Sequence, residues 1–457
     1  MHLKDIQIIY FVGIGGIGMS ALARYFNGRD VSVYGYDRTA TPLTRQLQDE
    51  GMHIHYHEDI KLIPNQVDLV VYTPAIPDTH LELQYFRQNE VAILKRAAVL
   101  GIISRGSKTI AIAGTHGKTT TSSITTHLLR NGGVDCTAFL GGIAQNYDSN
   151  FIEGKSEWVV IEADEFDRSF LHLDPDLAGI TSMDADHLDI YESHESLLES
   201  GFGAFLKKMK PGGTIWVQHQ FINHFKEAAH IKAYGVGGGA YQVNEISVEN
   251  GFTCFDYQSP GYNLKGLQFT MPGNHNVENA CLAITVALEL GVTEEDIRTG
   301  LKTFKGIQRR FELVYRDENV AYYDDYAHHP TELKSAIQAA RSLFTDKKIT
   351  GLFQPHLYSR TRDFAADFAA ALDELDEIIL LDIYPARELP IAGVTSDLLA
   401  GMMKNTRVER AQLGNALEIL KDKKASVILT LGAGDISTLV PRIKDYLMGM
   451  TADKAMI

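Results

Sequence analysis

The chain has 457 residues, with 43 Lys and Arg against 58 Asp and Glu, for a formal net charge of −15. Its 45% hydrophobic and 22% charged content is ordinary globular composition, which excludes disordered and fibrous classes. The acidic balance argues against nucleic acid as a partner, because phosphate-backbone binding rests on clustered Lys and Arg, whereas small anionic ligands need only a local pocket.

Residues 6–12, 31–36 and 67–72 are short apolar runs separated by stretches with helical spacing, the βαβ pattern of a parallel sheet. After the polar stretch Ser104-Arg105-Gly106-Ser107-Lys108 a new strand opens at 109–113, so a first domain is placed at 1–107 and a second at 108–311. Strands at 158–162 and 177–181 continue the second domain, and 231–270, rich in Gly, Tyr and alternating residues, is expected to be an antiparallel patch. Beyond Arg309-Arg310-Phe311 a third domain, 312–457, is predicted with strands at 320–323, 349–353, 377–381 and 426–431. Three α/β domains is the reading. Cys136, Cys254 and Cys281 are odd in number and widely spaced, which argues against a disulfide framework or structural zinc site. The start, Met1-His2-Leu3-Lys4-Asp5, lacks the regions of a secretion signal, and no stretch approaches the roughly 18 apolar residues of a membrane span. A cytoplasmic protein with no membrane association is expected.

Two glycine-rich loops carry the strongest signals. Gly13-Ile14-Gly15-Gly16-Ile17-Gly18 fits G-x-G-x-x-G, follows a predicted strand, opens a helix, and has Asp37 at the end of the next strand. Such a turn lets a diphosphate approach the backbone and sit on a helix N-terminus, with the acid reaching a ribose. The pattern suits a UDP-sugar and NAD alike. Gly114-Thr115-His116-Gly117-Lys118-Thr119-Thr120 lacks the first Gly of the strict phosphate-loop pattern, since Ile112 stands there, yet its chemistry is complete. Backbone N–H groups can cradle phosphates, Lys118 can reach the β- and γ-phosphates, and the Thr119 hydroxyl can bind Mg²⁺. Hydride transfer has no use for that second loop, which sets the nicotinamide oxidoreductase alternative below an ATP-dependent enzyme.

Polar clusters recur at the predicted strand ends. Glu162-Ala163-Asp164-Glu165-Phe166-Asp167 suits a divalent cation, against the plain alternative of a solvated loop, and His187 ends the following strand region. His53, His55 and His57 alternate along one strand face, and an exposed face is favoured there over a metal site. His275, Asn276 and Asn279 open a helix and offer amide donors and acceptors for an adenine edge, N-capping being the alternative. In the third domain Asp324–Glu332 and Gln354–Arg362 follow successive strands, where Arg360 and Arg362 can hold a carboxylate or form surface salt bridges.

In chain order, G-x-G-G-x-G-M-S at 13–20, G-T-H-G-K-T-T at 114–120, E-A-D-E at 162–165, D-H-L-D at 186–189, G-N-H-N at 273–276, D-D-Y-A-H-H-P-T-E at 324–332 and Q-P-H-x-Y-S-R-T-R-D at 354–363 resemble the Mur ligase family. These are the ATP-dependent amino-acid ligases of bacterial peptidoglycan synthesis. The last two motifs resemble the branch that adds L-alanine; the murein-peptide recycling branch shares D-D-x-A-H-H-P-T but is not expected to carry Q-P-H-x-Y-S-R-T. The resemblance implies an α/β fold of three domains: N-terminal Rossmann-like for a UDP-sugar, central P-loop ATPase with a mainly parallel sheet, and C-terminal Rossmann-like for an amino acid. It implies activation of the lactyl carboxylate of UDP-N-acetylmuramate by ATP to an acyl phosphate, which the amine of L-alanine attacks.

The resemblance also assigns roles to residues. ATP would meet Gly114, Thr115, His116, Gly117, Lys118, Thr119, Thr120, His275, Asn276, Asn279, Arg310 and Asp325, and Mg²⁺ would meet Thr119, Glu162 and His187. Gly13, Ile14, Gly15, Gly16, Ile17, Gly18, Ser20, Asp37, Thr73 and Ala75 would bind the UDP-sugar. Tyr326, His328, His356 and Arg360 would place the amino acid, with Lys118, Glu162, His187, His328 and Arg360 as the catalytic set. Two departures matter. Leu357 replaces the basic residue that often follows Q-P-H, which shifts the alanine carboxylate toward Arg360. No Lys occurs from 188 to 206, so the carbamylated lysine of several sister ligases is not expected.

Overall fold

The computed structural model describes residues 3–184, 188–191, 193–225, 231–386, 388–404 and 407–455. The first sheet holds β1 (Ile8–Val12), β2 (Ser32–Tyr36), β3 (His53–His55), β4 (Leu69–Tyr72) and β5 (Ile93–Lys95). Its order is β3-β2-β1-β4-β5, parallel throughout. A parallel sheet is covered on both faces, so its central strands are continuous apolar runs, and β1, Ile-Ile-Tyr-Phe-Val, is buried from its second residue on.

The second sheet has ten strands: β6 (Lys108–Ala113), β7 (Thr137–Ala144), β8 (Ser149–Ile152), β9 (Trp158–Ala163), β10 (Leu177–Ile180), β11 (Thr214–Gln218), β12 (Ile231–Val236), β13 (Tyr241–Glu249), β14 (Phe252–Ser259) and β15 (Tyr262–Phe269). The order is β15-β14-β13-β12-β11-β10-β6-β9-β7-β8. The expected antiparallel patch over 231–270 is corrected in part: β12 pairs in parallel with both β11 and β13. The two-residue links Asn250-Gly251 and Pro260-Gly261 leave only antiparallel pairing for β13, β14 and β15. β7 and β8, an antiparallel pair on the far edge, escape the sequence reading because Gly141-Gly142 and polar residues interrupt the apolar run.

The third sheet holds β16 (Glu312–Arg316), β17 (Ala321–Asp325), β18 (Ile349–Phe353), β19 (Glu377–Leu381), β20 (Val408–Ala411) and β21 (Val427–Leu431), in the order β16-β17-β21-β18-β19-β20. Only β16 runs antiparallel. Here β18 and β21 are buried at every residue.

There are three sheets but two compact units. One comprises Met1–Glu245, Phe255–Gln268 and Glu278–Lys305; the other comprises Ile246–Cys254, Phe269–Val277 and Gly306–Ile457. The first sheet and most of the second share a unit, and one apolar core runs from Ile9 and Phe11 through Phe139 and Phe151 to Ile180 and Val217. The helix Ile17–Asn27 is the joint: Tyr25 packs on the rings of Phe139 (5.5 Å) and Phe151 (6.2 Å). All three cysteines are buried and free. Among the described residues no helix is long and apolar enough to cross a membrane.

Candidate active site

β6 lies inside the second sheet, between β10 and β9, and hands the chain to the second glycine loop. Gly114 (φ +133°) and Gly117 (φ +82°) turn it into the helix Lys118–Asn131. Neither position has room for a side chain, since a Cβ on Gly114 would overlap Thr181 Oγ1 and one on Gly117 would lie 2.6 Å from Asn279 Oδ1. The end of β10 braces the loop. The Thr115 N–H donates to the Ser182 carbonyl (3.1 Å), the His116 N–H to Ser182 Oγ (2.7 Å), and Thr181 Oγ1 to the His116 carbonyl. Thr119 and Thr120 are buried in the first helical turn, and Thr121 Oγ1 donates to Asn279 Oδ1 at 3.1 Å.

Lys118 turns back over its own loop. Its Nζ donates to the Gly114 carbonyl (2.7 Å), the Thr115 carbonyl (3.4 Å) and Glu165 Oε2 (2.7 Å). Burial pulls the ammonium pKa down, but Glu165, Asp164 and Glu162 more than reverse this and hold it above the ordinary lysine value.

Those carboxylates come from β9, which pairs with β6 and sets Glu162 opposite Ile112. Glu162 Oε2 accepts the Gly141 N–H at 2.9 Å. Asp164 accepts from Arg96 (3.3 Å), Asp167 from Lys95 (2.9 Å), and Glu165 is fully buried. Asp167 and Arg168 both take left-handed backbone angles (φ 51° and 54°), a costly turn for residues with side chains. Tyr191 anchors it, its hydroxyl donating to the Glu165 carbonyl at 2.7 Å while the Arg168 guanidinium lies 5.2 Å above its ring. The run is therefore a tied network and not a solvated loop. His187, the third expected metal ligand, lies outside the described residues.

The first glycine loop is built on β1 and β2. The N–H groups of Gly13 (φ +86°) and Ile14 donate to the Tyr36 carbonyl at 2.8 and 3.0 Å. Asp37 fastens the turn, accepting the Gly15 N–H (2.8 Å) and the Thr39 N–H (3.1 Å). A Cβ on Gly13 would touch Ile76 and Thr73 at 3.2 and 3.3 Å, which places the Thr73-Pro74-Ala75 turn beside the loop, with Ala75 exposed. Gly16 precedes the helix Ile17–Asn27, and the Arg96 guanidinium rests against Gly18. Ser20, expected at the diphosphate, is instead fully buried; it donates to the Ile17 carbonyl (2.9 Å) and accepts from Asn150 (2.9 Å).

The expected exposed histidine face holds at His53 and His57, both exposed, and is corrected at His55. His53 is exposed and stacks on Tyr34, His57 lies beyond β3, but His55 turns inward to bond the fully buried Glu82 at 2.7 Å. Among the described residues no group of three or more His, Cys, Asp and Glu is arranged to hold a metal ion. On the helix Asn274–Glu289, Asn276 Nδ2 donates to the Pro272 carbonyl at 2.7 Å. Burial lowers the His275 imidazole to about 4.

In the second unit, the strand ends of β17 and β18 carry a cluster built from side chains. Asp325 accepts the N–H groups of Phe311 and Ala327, both at 2.7 Å, while burial raises its carboxyl to about 7 against the opposing pull of Arg310. Arg309 and Arg310 lie 5.0 and 5.7 Å above the Tyr326 ring. His328 approaches Tyr326 (5.2 Å) and His356 (5.9 Å), and His356 stacks on Tyr384 (5.7 Å). Burial and the cation of Arg360 lower the His328 pKa, with Glu332 opposing, so the imidazole is held toward its neutral form. Tyr326, His328, His356 and Arg360 thus fall in one neighbourhood, whereas Arg362 is exposed and pairs with Asp363.

Sequence reasoning singled out neither Glu165 nor Glu332 from within their motifs. Glu332 binds Arg310 (3.4 Å) and accepts the His328 N–H (3.0 Å), and its spacing four residues after His328 was an available signal. Arg96 and Asn150 carried no sequence signal.

Three family descriptions match the chain in succession: Mur ligase family, catalytic domain, over residues 8–108; Mur ligase middle domain over 112–287; and Mur ligase, glutamate ligase domain over 309–434. The UDP-N-acetylmuramate–L-alanine ligase of Flavobacterium psychrophilum is 46% identical over 454 residues, covering 98% of this chain and 99% of its own. That of Porphyromonas gingivalis is 46% identical over 450 residues, covering 96% and 98%. The crystal structure of the UDP-N-acetylmuramate–alanine ligase of Thermotoga maritima superposes with a TM-score of 0.84 at 28% identity, covering 97% of this chain and 99% of the other. A murein peptide ligase from Psychrobacter arcticus shares the fold, with a TM-score of 0.71 at 20% identity over 96% and 98%.

Proposed function

The chain belongs to the Mur ligase family, and on that premise we propose that it joins L-alanine to the lactyl carboxylate of UDP-N-acetylmuramate at the expense of ATP, in peptidoglycan precursor synthesis. Near-full-length identity of 44–46% to ligases of that name carries the reading. The glycine loop at 114–120 and the Q-P-H-x-Y-S-R-T stretch supply the chemistry it needs.

A carboxylate and a γ-phosphate must meet, and their repulsion is the first barrier to acyl-phosphate formation. Lys118 supplies one fixed cation at the loop. Thr119 and Glu162 are oxygen donors on the helix and the strand that flank the loop, a set suited to a hard divalent cation. They would hold Mg²⁺, with His187 beside it, and the ion would neutralise phosphate charge. Asn276, Asn279 and His275 are read as the adenine side, with Arg310 and Asp325 also given to ATP. The loop at 13–18, with Asp37 and the Thr73–Ala75 turn, is read as the UDP-sugar site. The neutral imidazole of His328 can take a proton from the alanine ammonium, which must lose one before it attacks, while Arg360 holds the alanine carboxylate. Domains at 1–107, 108–311 and 312–457, and a cytoplasmic location, complete the reading.

The test is phosphate release across an amino-acid panel with UDP-N-acetylmuramate, ATP and Mg²⁺, with the product identified by mass spectrometry. Stoichiometric phosphate and amide that depend on L-alanine are expected. ATP hydrolysis without amide, or turnover that ignores the nucleotide sugar, would sink the assignment.

A further inference from the structure

The cation that should meet the nucleotide is already engaged. Lys118 has three N–H donors, and three acceptors surround it: the Gly114 carbonyl (2.7 Å), the Thr115 carbonyl (3.4 Å) and Glu165 Oε2 (2.7 Å). Two of the three are carbonyls of the loop itself. The third is the only one with a full charge, and it is set apart from its neighbours in the acidic run. Glu165 is fully buried, while the Asp164 and Asp167 side chains keep about a third of their surface and face Arg96 and Lys95. A buried carboxylate is costly without a cation, and a buried ammonium without an anion. The Glu165 backbone is also fixed, because Tyr191 holds its carbonyl and, after Phe166, two left-handed residues follow.

We infer that Glu165 is a positioning residue that acts through Lys118: it is the internal counter-ion which the β-phosphate of an arriving nucleotide must replace or share, so that its charge sets nucleotide affinity. A carboxylate and a phosphate compete for one ammonium in a site of low effective dielectric, where a single charge is worth more than at the surface. Glu165 keeps the ammonium charged and aimed across the loop while no nucleotide is present, and the cost is weaker phosphate binding. This rests on the reading of 114–120 as a nucleotide loop.

The experiment is calorimetric titration of ADP, and separately of adenosine, into the full-length protein without divalent cations, comparing the unaltered chain with Glu165→Gln and Glu165→Asp. Glu165→Gln keeps the shape and removes the charge, and should tighten ADP binding about tenfold. Glu165→Asp withdraws the charge by one methylene and should tighten it about threefold. Adenosine has no phosphate to reach Lys118, so its affinity should stay unchanged in both. A role confined to packing would weaken both ligands together. ADP affinity that is unchanged or weaker in a folded variant, or an equal shift for adenosine, overturns the inference; should Glu165→Gln not fold, Glu165→Asp decides alone. Failure of the unaltered chain to bind ADP would instead overturn the nucleotide-loop reading.

Discussion

The glycine loop at the end of β6 and the cluster at the ends of β17 and β18 both use left-handed backbone, but they give it to different residues. In the loop the positive φ angles fall on Gly114 and Gly117, as on Gly13 in the first sheet. In the cluster they fall on Arg309 (φ 60°), Phe311 (φ 47°) and Leu357 (φ 68°). In the glycine loop a Cβ would run into Thr181 and Asn279 and would have to adopt a left-handed backbone, and glycine avoids both. Where side chains make the surface, the turn must carry them, and hydrogen bonds hold the strained residues in place. Glu312 accepts the Arg309 N–H (2.8 Å), Asp325 the Phe311 N–H (2.7 Å), and the Tyr384 carbonyl the Leu357 N–H (3.0 Å).

The sharpest break in this contrast is Lys118→Ala. Ligation should fall at least about a thousandfold, because Lys118 is the cation that the loop holds over its own carbonyls. Binding of UDP-N-acetylmuramate, measured by calorimetry, should stay within about twofold of the unaltered chain. Unchanged turnover would remove the ATPase role from this loop. Gly117→Ala comes next. It adds one methyl at φ +82° against Asn279 Oδ1 and should weaken nucleotide binding about a hundredfold, since a left-handed alanine and a displaced amide each cost on the order of 1–2 kcal/mol. Normal affinity would mean that backbone space is not what the loop provides. Arg360→Ala should touch the other region alone, raising the KM for L-alanine about thirtyfold with little change in that for ATP. An effect confined to ATP would reassign Arg360.

The same contrast explains what could be read in advance. Glycine at a strand–helix turn is a sequence signal with a mechanism, so both glycine loops were legible along with the strands that lead into them. The central strands were legible because burial on both faces makes them unbroken apolar runs. Some strands toward the edges were not: β7 contains Gly141-Gly142, and β16 is only Leu-Val-Tyr between Glu312 and Arg316. Partners that meet only in space were also hidden. Nothing in the sequence ties Glu165 to Lys118 across 47 residues, or Arg96 to Gly18. The strain at Arg309, Phe311 and Leu357 left no trace, because no residue type announces it.

Leu357 gives the smallest effect and the finest distinction. It sits between His356 and Arg360, with its N–H on Tyr384 and its carbonyl accepting Thr361 Oγ1 at 2.7 Å, so two hydrogen bonds fix the backbone at an angle that leucine disfavours. Leu357→Gly removes a strain of about 1–2 kcal/mol but adds the greater chain entropy of glycine, about 0.5–1 kcal/mol, and loses part of a half-buried side chain. These terms nearly cancel, and the melting temperature should move by no more than about 2 °C. If the strained turn exists to aim His356 and Arg360, the freed backbone should still raise the KM for L-alanine about threefold at unchanged kcat. An unchanged KM with a higher melting temperature would mean that the strain is only a packing compromise, and the difference between the two regions would then lie in their side chains alone.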